Sequence, residues 1–91
     1  MEVKNLNGTT GLTAPNGKPW LKYYIEEAGL KYIPFCCVLG CCKIAQVGAH
    51  VKKVHSSDNC WYIVPMCYKH NNQRDEPLEL SSGTKLVRSS D

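Results

Sequence analysis

The stretch Cys36–His70, CCVLGCCKIAQVGAHVKKVHSSDNCWYIVPMCYKH, contains all six cysteines and all three histidines of the 91-residue chain. A group of cysteines opens it across a short turn, and a Cys-x-x-His pair closes it. Two separated groups of cysteine and histidine are typical of a structural zinc site, in which the fold brings two ligand pairs to one ion. The stretch therefore predicts a zinc ion that joins its two ends.

The second ligand pair is Cys67 and His70, whose spacing lets both side chains point at one metal from the start of a helix. Because the cysteines before it are doubled, three first pairs have feasible spacing: Cys36 with Cys41, Cys37 with Cys41, and Cys37 with Cys42. We favour Cys36 and Cys41, since this pair puts Gly40 at the turn that directs backbone amides toward bound sulfur. The predicted ligands of one structural Zn²⁺ are Cys36, Cys41, Cys67 and His70.

The length of the chain also favours a metal. Ninety-one residues predict a single domain, 1–91, with a modest core, and domains of this size often need a metal, disulfides or a partner. The crowding of cysteines beside histidines favours a metal over a disulfide framework. The first residues, MEVKNLNGTTG, lack the apolar run of a signal peptide, and no run is long enough for a membrane span. We therefore expect a reduced cytoplasmic protein, as a monomer or a small homo-oligomer.

Positive charge is concentrated on the cysteine-rich part of the chain. The net charge is +3 overall, but residues 31–74 carry six Lys and Arg side chains against Asp58 alone, which gives +5. Such an excess suits a phosphate backbone, although an ordinary solvated face would have the same composition. The residues that we predict to contact nucleic acid are Lys43, Lys52, Lys53, Lys69 and Arg74.

Before the cysteines, the sequence predicts one helix. Residues 1–18 have no apolar period and are interpreted as a loop or arm. The period of residues 19–29 predicts an amphipathic helix that starts at Pro19 and is capped by Gly29. Residues 30–35 are expected to be extended.

Between the ligand pairs, the sequence predicts two strands. Residues 44–54 have the β-branched alternation of a strand, in which Gly48 would mark a bulge or bend. Residues 61–64 predict a second strand that ends at Pro65. A short helix is expected from Met66 to about Arg74, beginning at the second ligand pair.

These motifs occur in a familiar order: C-x4-C, then Ala-His-Val, then an aromatic-aliphatic strand that ends in Pro-Met-Cys-x-x-His-Asn. Over residues 36–72 this order resembles the HNH, or ββα-metal, nuclease core in its treble-clef zinc form, and it also resembles small bacterial and phage proteins with that core. The resemblance implies an α+β fold with a zinc-stabilised core over 36–74. To this core the sequence adds an N-terminal helix and a tail, 75–91, in which LEL (78–80) and KLV (85–87) predict a weak hairpin.

The same resemblance implies roles for two further residues. His50 stands at the position of the family's general base, and Asn71 stands at that of a second ligand to a catalytic Mg²⁺ or Mn²⁺. Ala49, however, occupies the position of the family's metal-binding acid or histidine, and a methyl group cannot coordinate a cation. We therefore expect a catalytically degraded binding module for nucleic acid or protein. The alternatives are a small HNH-type endonuclease that uses His50 and Asn71, and a phage- or plasmid-type inhibitor that docks on a host protein.

Overall fold

The computed structural model describes residues 1–6, 14, 17–73 and 76–89. This part of the chain forms a five-stranded antiparallel sheet with two helices, so the fold is mixed α and β. The strand order is β4-β1-β2-β3-β5. The elements, in chain order, are β1 (Glu2–Asn5), α1 (Trp20–Glu27), β2 (Val47–Lys53), β3 (Tyr62–Met66), α2 (Tyr68–Asn71), β4 (Leu78–Glu79) and β5 (Val87–Arg88).

The hairpin of β2 and β3 divides the interior into two layers. Ala49 pairs with Val64, and His50 pairs with Ile63. Because successive side chains of a strand alternate between faces, these two pairs lie on opposite faces of the sheet. Ala49 and Val64 pack with the buried cysteines, on what we call the cysteine face. Ile63 packs with residues of α1, on what we call the helix face.

Helix α1 lies inside the predicted range 19–29. Pro19 precedes its first residue in an extended conformation, and Gly29 follows its end with a φ of 72°. Its central residue, Tyr24, is buried against Ile63 and Val87. The Tyr24 hydroxyl donates a hydrogen bond of 2.6 Å to the carbonyl of Lys85, so this helix is also bonded to the C-terminal segment.

Gly48 does not mark a bulge. It pairs regularly with Pro65 in the hairpin register, and a Cβ at this position would lie 2.6 Å from the backbone nitrogen of Leu21. The backbone carbon of Trp20 would be equally close. The glycine is therefore required by the close approach of α1 to β2, which no local pattern in the sequence reveals.

The N-terminal arm predicted over 1–18 contains a strand. β1 pairs with β2 on one side and β4 on the other, and Val3 is fully buried. The four residues of β1 include one apolar core residue, Val3, so the alternation is too short to be recognised in the sequence. Both strands that pair with β1 are also distant in sequence. The rest of the predicted arm lies largely outside the described residues.

The hairpin predicted in the tail is also wrong. Residues 78–79 form β4 and pair with β1, whereas residues 87–88 form β5 and pair with β3, so the two strands lie at opposite edges of the sheet. The turn predicted between them is present, with Thr84 donating to the carbonyl of Ser81. It redirects the chain toward the other edge instead of folding it back on itself.

The ends of β3 and α2 also differ from prediction. β3 continues through Pro65 to Met66. The backbone of Pro65 is directed away from β2, since its carbonyl accepts a hydrogen bond from the Cys37 amide. The N–H that proline lacks would therefore not have bonded to β2, and the strand tolerates the proline. The second helix has four residues, Tyr68–Asn71, instead of extending from 66 to 74. Neither helix of the described residues has the length and apolar character needed to cross a membrane.

Replacing Gly48 with alanine is expected to destabilise the fold by about 1–3 kcal/mol, because the added methyl group would collide with backbone atoms of α1 and not with flexible side chains. Urea unfolding of the zinc-loaded protein measures the change. Ser82→Ala, an exposed position in the 81–84 turn, is the control and should change the unfolding free energy by less than about 0.5 kcal/mol. Equal stability of Gly48→Ala and the unmodified protein would contradict the packing of α1 on β2.

The Tyr24 hydroxyl predicts a loss of stability at high pH. Burial, with a smaller effect from Cys37, raises the pKa of Tyr24 to about 12, from an ordinary value of 10.0. Because this pKa is higher in the folded chain, the stabilisation is fully present below pH 10 and is lost as the pH rises through 12. Two pKa units correspond to about 2–3 kcal/mol.

We expect Tyr24→Phe to be about 1 kcal/mol less stable at pH 7, because the bond to Lys85 is lost, and to lose less stability than the unmodified protein between pH 10 and 12. Urea unfolding across this range tests both effects. The control is Tyr32→Phe at an exposed position. Identical pH profiles for Tyr24→Phe and the unmodified protein would show that the hydroxyl is not buried as described.

Candidate metal centre

The first ligand pair lies on a tight turn, residues 36–42, which we call the knuckle. The Cys36 amide donates to the carbonyl of Lys43 at 2.8 Å, and the Cys41 amide donates to the carbonyl of Val38 at 2.9 Å. Gly40 has a φ of 84°, which the third residue of a type II turn requires and which glycine adopts without strain. The turn therefore brings the thiols of Cys36 and Cys41 close together.

The second ligand pair lies where β3 passes into α2. Cys67 is extended and immediately precedes the helix, and His70 lies within it. The His70 Nδ1 atom is 3.3 Å from the Cys67 sulfur and 3.6 Å from the Cys36 sulfur. The imidazole therefore faces thiols from both pairs.

The four ligand atoms of Cys36, Cys41, Cys67 and His70 all lie within 4.8 Å of one another. Around a single tetrahedral Zn²⁺, at about 2.3 Å from sulfur and 2.0 Å from nitrogen, ligand atoms lie about 3.5–3.8 Å apart. The cluster therefore has the size of a site for one metal ion, although its geometry does not specify which metal. None of the six cysteines, all of which the structure describes, forms a disulfide, so no disulfide competes for these sulfurs.

The surroundings of the two inner thiols differ. Burial raises the pKa of the Cys36 thiol to about 11. Burial also acts on Cys67, but backbone N–H groups of His70 and Lys69 donate to its sulfur, and together with the neighbouring thiols they lower the pKa of Cys67. Backbone amides at the start of α2 thus stabilise the Cys67 thiolate before any metal binds. The Cys36 thiol would lose its proton only when a bound metal ion lowered its pKa.

The cluster resolves the choice between the doubled cysteines. It contains Cys36 and Cys41, and it contains neither Cys37 nor Cys42. The Cys37 side chain is buried in the core of the cysteine face, and its amide donates to the Pro65 carbonyl at 2.8 Å. Cys42 is exposed. The described residues thus bring together the four ligands that the spacing favoured.

Asn5 supports the site from β1, a role that no pattern in the sequence indicates. Its side chain is buried, and its Nδ2 atom donates to the carbonyls of His70 at 2.9 Å and Gln73 at 2.8 Å. These carbonyls belong to the C-terminal end of α2 and the residues after it, where helix carbonyls have no partner within the helix. A single asparagine thus holds α2 on the cysteine face, across a separation of 65 residues.

His50 and Asn71, the two residues of the nuclease alternative, are not brought together. His50 lies on the helix face, where only 6% of its surface is exposed. Its ring packs edge-on against Trp20 at 4.5 Å between centroids, and Trp61 is the next aromatic neighbour at 6.5 Å. Asn71 belongs to α2, which Asn5 holds against the opposite face. The sheet therefore separates the two side chains.

Asp58 is the one carboxylate of residues 31–74, and it is bonded within its own loop. It accepts hydrogen bonds from the Tyr62 hydroxyl and, at 2.7 Å, from the Cys60 amide. Its carboxylate also lies 3.5 Å from Lys53 Nζ. The Tyr62 bond above all holds the pKa of Asp58 well below its usual range. These bonds hold Asp58 in the loop between β2 and β3, and Asp58 is not one of the residues of the cysteine cluster.

The lysines predicted to contact nucleic acid do not share one surface. Lys52 and Lys53 are adjacent in β2, so their side chains leave opposite faces of the sheet. Lys53 lies on the cysteine face, paired with Asp58 and 4.8 Å from the centre of the Tyr62 ring. Lys43 and Lys69 are exposed, and Arg74 lies outside the described residues.

Comparisons of the chain with protein-family models, with curated proteins and with solved structures find no match. A functional proposal therefore rests on the geometry of the described residues, in which three thiols and one imidazole surround a single point.

The cluster predicts different results for two neighbouring cysteines. Cys36→Ser should abolish stoichiometric zinc binding, because serine replaces one of the four ligand atoms. Cys42→Ser, the matched control, should keep one zinc ion and change the unfolding free energy by less than about 0.5 kcal/mol, since Cys42 is exposed. Native mass spectrometry counts the bound ions. Zinc retained by Cys36→Ser and lost from Cys42→Ser would contradict this assignment and would give the first ligand pair as Cys37 and Cys42.

Proposed function

We propose that this chain is a non-catalytic binding module whose fold is held by one structural Zn²⁺. The observation that carries the proposal is the convergence of Cys36, Cys41, Cys67 and His70 on one point. Thiolates and imidazole are ligands that suit zinc, and four protein ligands complete a tetrahedral shell. A closed shell leaves no position for water or substrate, which is the arrangement of a structural site and not of a catalytic one.

The order of the elements supports the likeness to a treble clef. A turn with two cysteines is followed by the hairpin of β2 and β3, and then by α2 with the second ligand pair. This is the arrangement that the HNH-like motifs of the sequence imply. In the proposed module the ion joins the knuckle to α2, and the hairpin spans the distance between them.

The environment of His50 supports a non-catalytic role. A general base must reach a water molecule beside the scissile phosphate. His50 is instead packed against Trp20 under α1, and Ala49 occupies the cysteine face beside it. A catalytic Mg²⁺ would also need a carboxylate, and Asp58 is engaged by Tyr62. In the proposed module His50 is a packing residue.

Two partner classes follow from the exposed side chains. Nucleic acid would use the exposed lysines Lys43 and Lys69, together with Lys52 on the other face of the sheet. A protein partner would use large apolar side chains, several of which are exposed around the knuckle. Either class is compatible with a small non-catalytic module, and the inhibitor alternative belongs to the second class.

A plasmid-nicking assay tests the non-catalytic part of the proposal. Zinc-loaded protein with added Mg²⁺ or Mn²⁺ should leave supercoiled plasmid intact, because His50 is buried against Trp20. His50→Ala should behave identically in the assay but unfold at a lower urea concentration, since it removes a buried ring. His55→Ala, at an exposed histidine, is the control. Metal-dependent nicking that disappears in His50→Ala and persists in His55→Ala would establish a nuclease.

A further inference from the structure

We propose that the outer surface of the knuckle and the groove beside α1 form a docking surface for an acidic amphipathic helix of a partner protein. This inference rests on the proposed function, since it names the partner class of that binding module. Four observations on the described residues support it: an outward apolar pair, a groove beside α1, two lysines of its lining that form no ion pair with a described residue, and a single carboxylate in that lining, which is already paired.

The outward pair comes from a short antiparallel ladder at the base of the knuckle. Phe35 and Ile44 are paired directly across it. The neighbouring residues Cys36 and Ala45 point into the core, so alternation directs Phe35 and Ile44 outward. They are 66% and 58% exposed, and large apolar side chains paired on a surface in this way are a mark of an interaction site.

A groove along α1 adjoins the segment that carries Phe35, and Phe35 itself lines a second cavity that shares Leu30 and Tyr32 with this groove. In the same antiparallel register, the residues two positions further from the turn are Ile33 and Gln46, which are opposite each other. Because side chains alternate, they lie on the same outward side as Phe35 and Ile44. Ile33 and Gln46 both line a groove of about 590 Å³. Its far wall is α1, which contributes Leu21 and Ile25, one turn apart. A concave apolar wall beside a projecting apolar pair fits the apolar face of a helix.

Lysines line this groove. Lys22 and Lys31 both contribute to its walls, and neither forms an ion pair with a described residue. The one carboxylate among the described lining residues, Glu26, already accepts a bond of 2.8 Å from Lys18. Exposed Lys43, next to Ile44 in the chain, adds a further positive charge. The occupant should therefore carry carboxylates beside its apolar face.

This charge distribution argues against the two other candidate occupants. A second copy of the chain carries the same lysines, and its net charge of +3 would repel the first copy. Single-stranded nucleic acid binds on stacked aromatic side chains, and Tyr32 and Phe35 are exposed here. The α1 wall of the groove, however, is lined by Leu21 and Ile25, which offer bases no ring to stack on. A protein helix with apolar and acidic residues satisfies both the shape and the charge of the surface.

The probe for this surface is a labelled synthetic peptide of about 18 residues, helical, with Leu and Phe on one face and Glu over most of the rest. A scrambled peptide of the same composition has no apolar face, and a third peptide has Lys in place of Glu. Fluorescence anisotropy with zinc-loaded protein should show binding of the first peptide alone, and the binding should weaken as salt is raised.

Two pairs of variants locate the binding. Phe35→Ser should raise the Kd of the peptide at least about tenfold, because it removes a central apolar contact. Leu39→Ser is its matched control: Leu39 is 62% exposed, but its amide bonds to Glu79, on the β4 side of the knuckle. Lys31→Glu should weaken binding severalfold, whereas Lys4→Glu, on β1, should leave it unchanged.

Native mass spectrometry of the same samples separates this inference from the proposed function. One zinc ion per chain without peptide binding would overturn the docking surface and leave the proposed function standing. Folded protein that binds the peptide without zinc would overturn the proposed function and leave the docking surface. A dimer that Phe35→Ser dissociates, or an oligonucleotide that displaces the peptide from this surface, would assign it to another occupant and refute the inference.

Discussion

The convergence of the knuckle and α2 on one point, where four potential ligand atoms meet, is the constraint on which the proposed account of this structure depends. The sulfurs of Cys36 and Cys67, 31 residues apart in the chain, both lie beside the ring of His70. Between these residues the chain forms only one hairpin, which is too small to bury a large core. A single ion on these ligands would stabilise all three segments together, because binding of a structural metal is itself folding free energy.

The two faces of the β2–β3 hairpin pack against different parts of the chain. On the cysteine face, Val64 and Met66 pack beneath the metal ligands, and Asn5 holds the end of α2. On the helix face, α1 packs so closely that Gly48 has no room for a side chain. Strand alternation thus assigns neighbouring residues to separate layers: Ala49 belongs with the metal centre, and His50 packs against Trp20. This separation accounts for the non-catalytic character that we propose.

The cluster of Cys36, Cys41, Cys67 and His70 was predictable because the sequence patterns that indicate it are short and local. Cys-x-x-His spacing and a glycine-containing turn are short patterns whose chemistry permits few other arrangements, and α1 has a clear helical period. The sequence could not place β1 or the tail strands, since a strand of two to four residues has too few alternations and its partners are distant in sequence. The roles of Asn5 and Gly48 depend on contacts with distant elements. Lys52 and Lys53 are adjacent in the strand predicted over 44–54, so their placement on opposite faces of the sheet already follows from that prediction.

We propose above all that a single metal ion on these four ligands holds the fold. The most direct test is to titrate Zn²⁺ into the reduced, metal-free chain while far-ultraviolet circular dichroism reports folding and native mass spectrometry counts bound ions. We predict an unfolded or loosely folded metal-free chain whose folding is complete at one zinc ion per chain. A metal-free chain with the full folded signal, unchanged by added zinc, would contradict the claim.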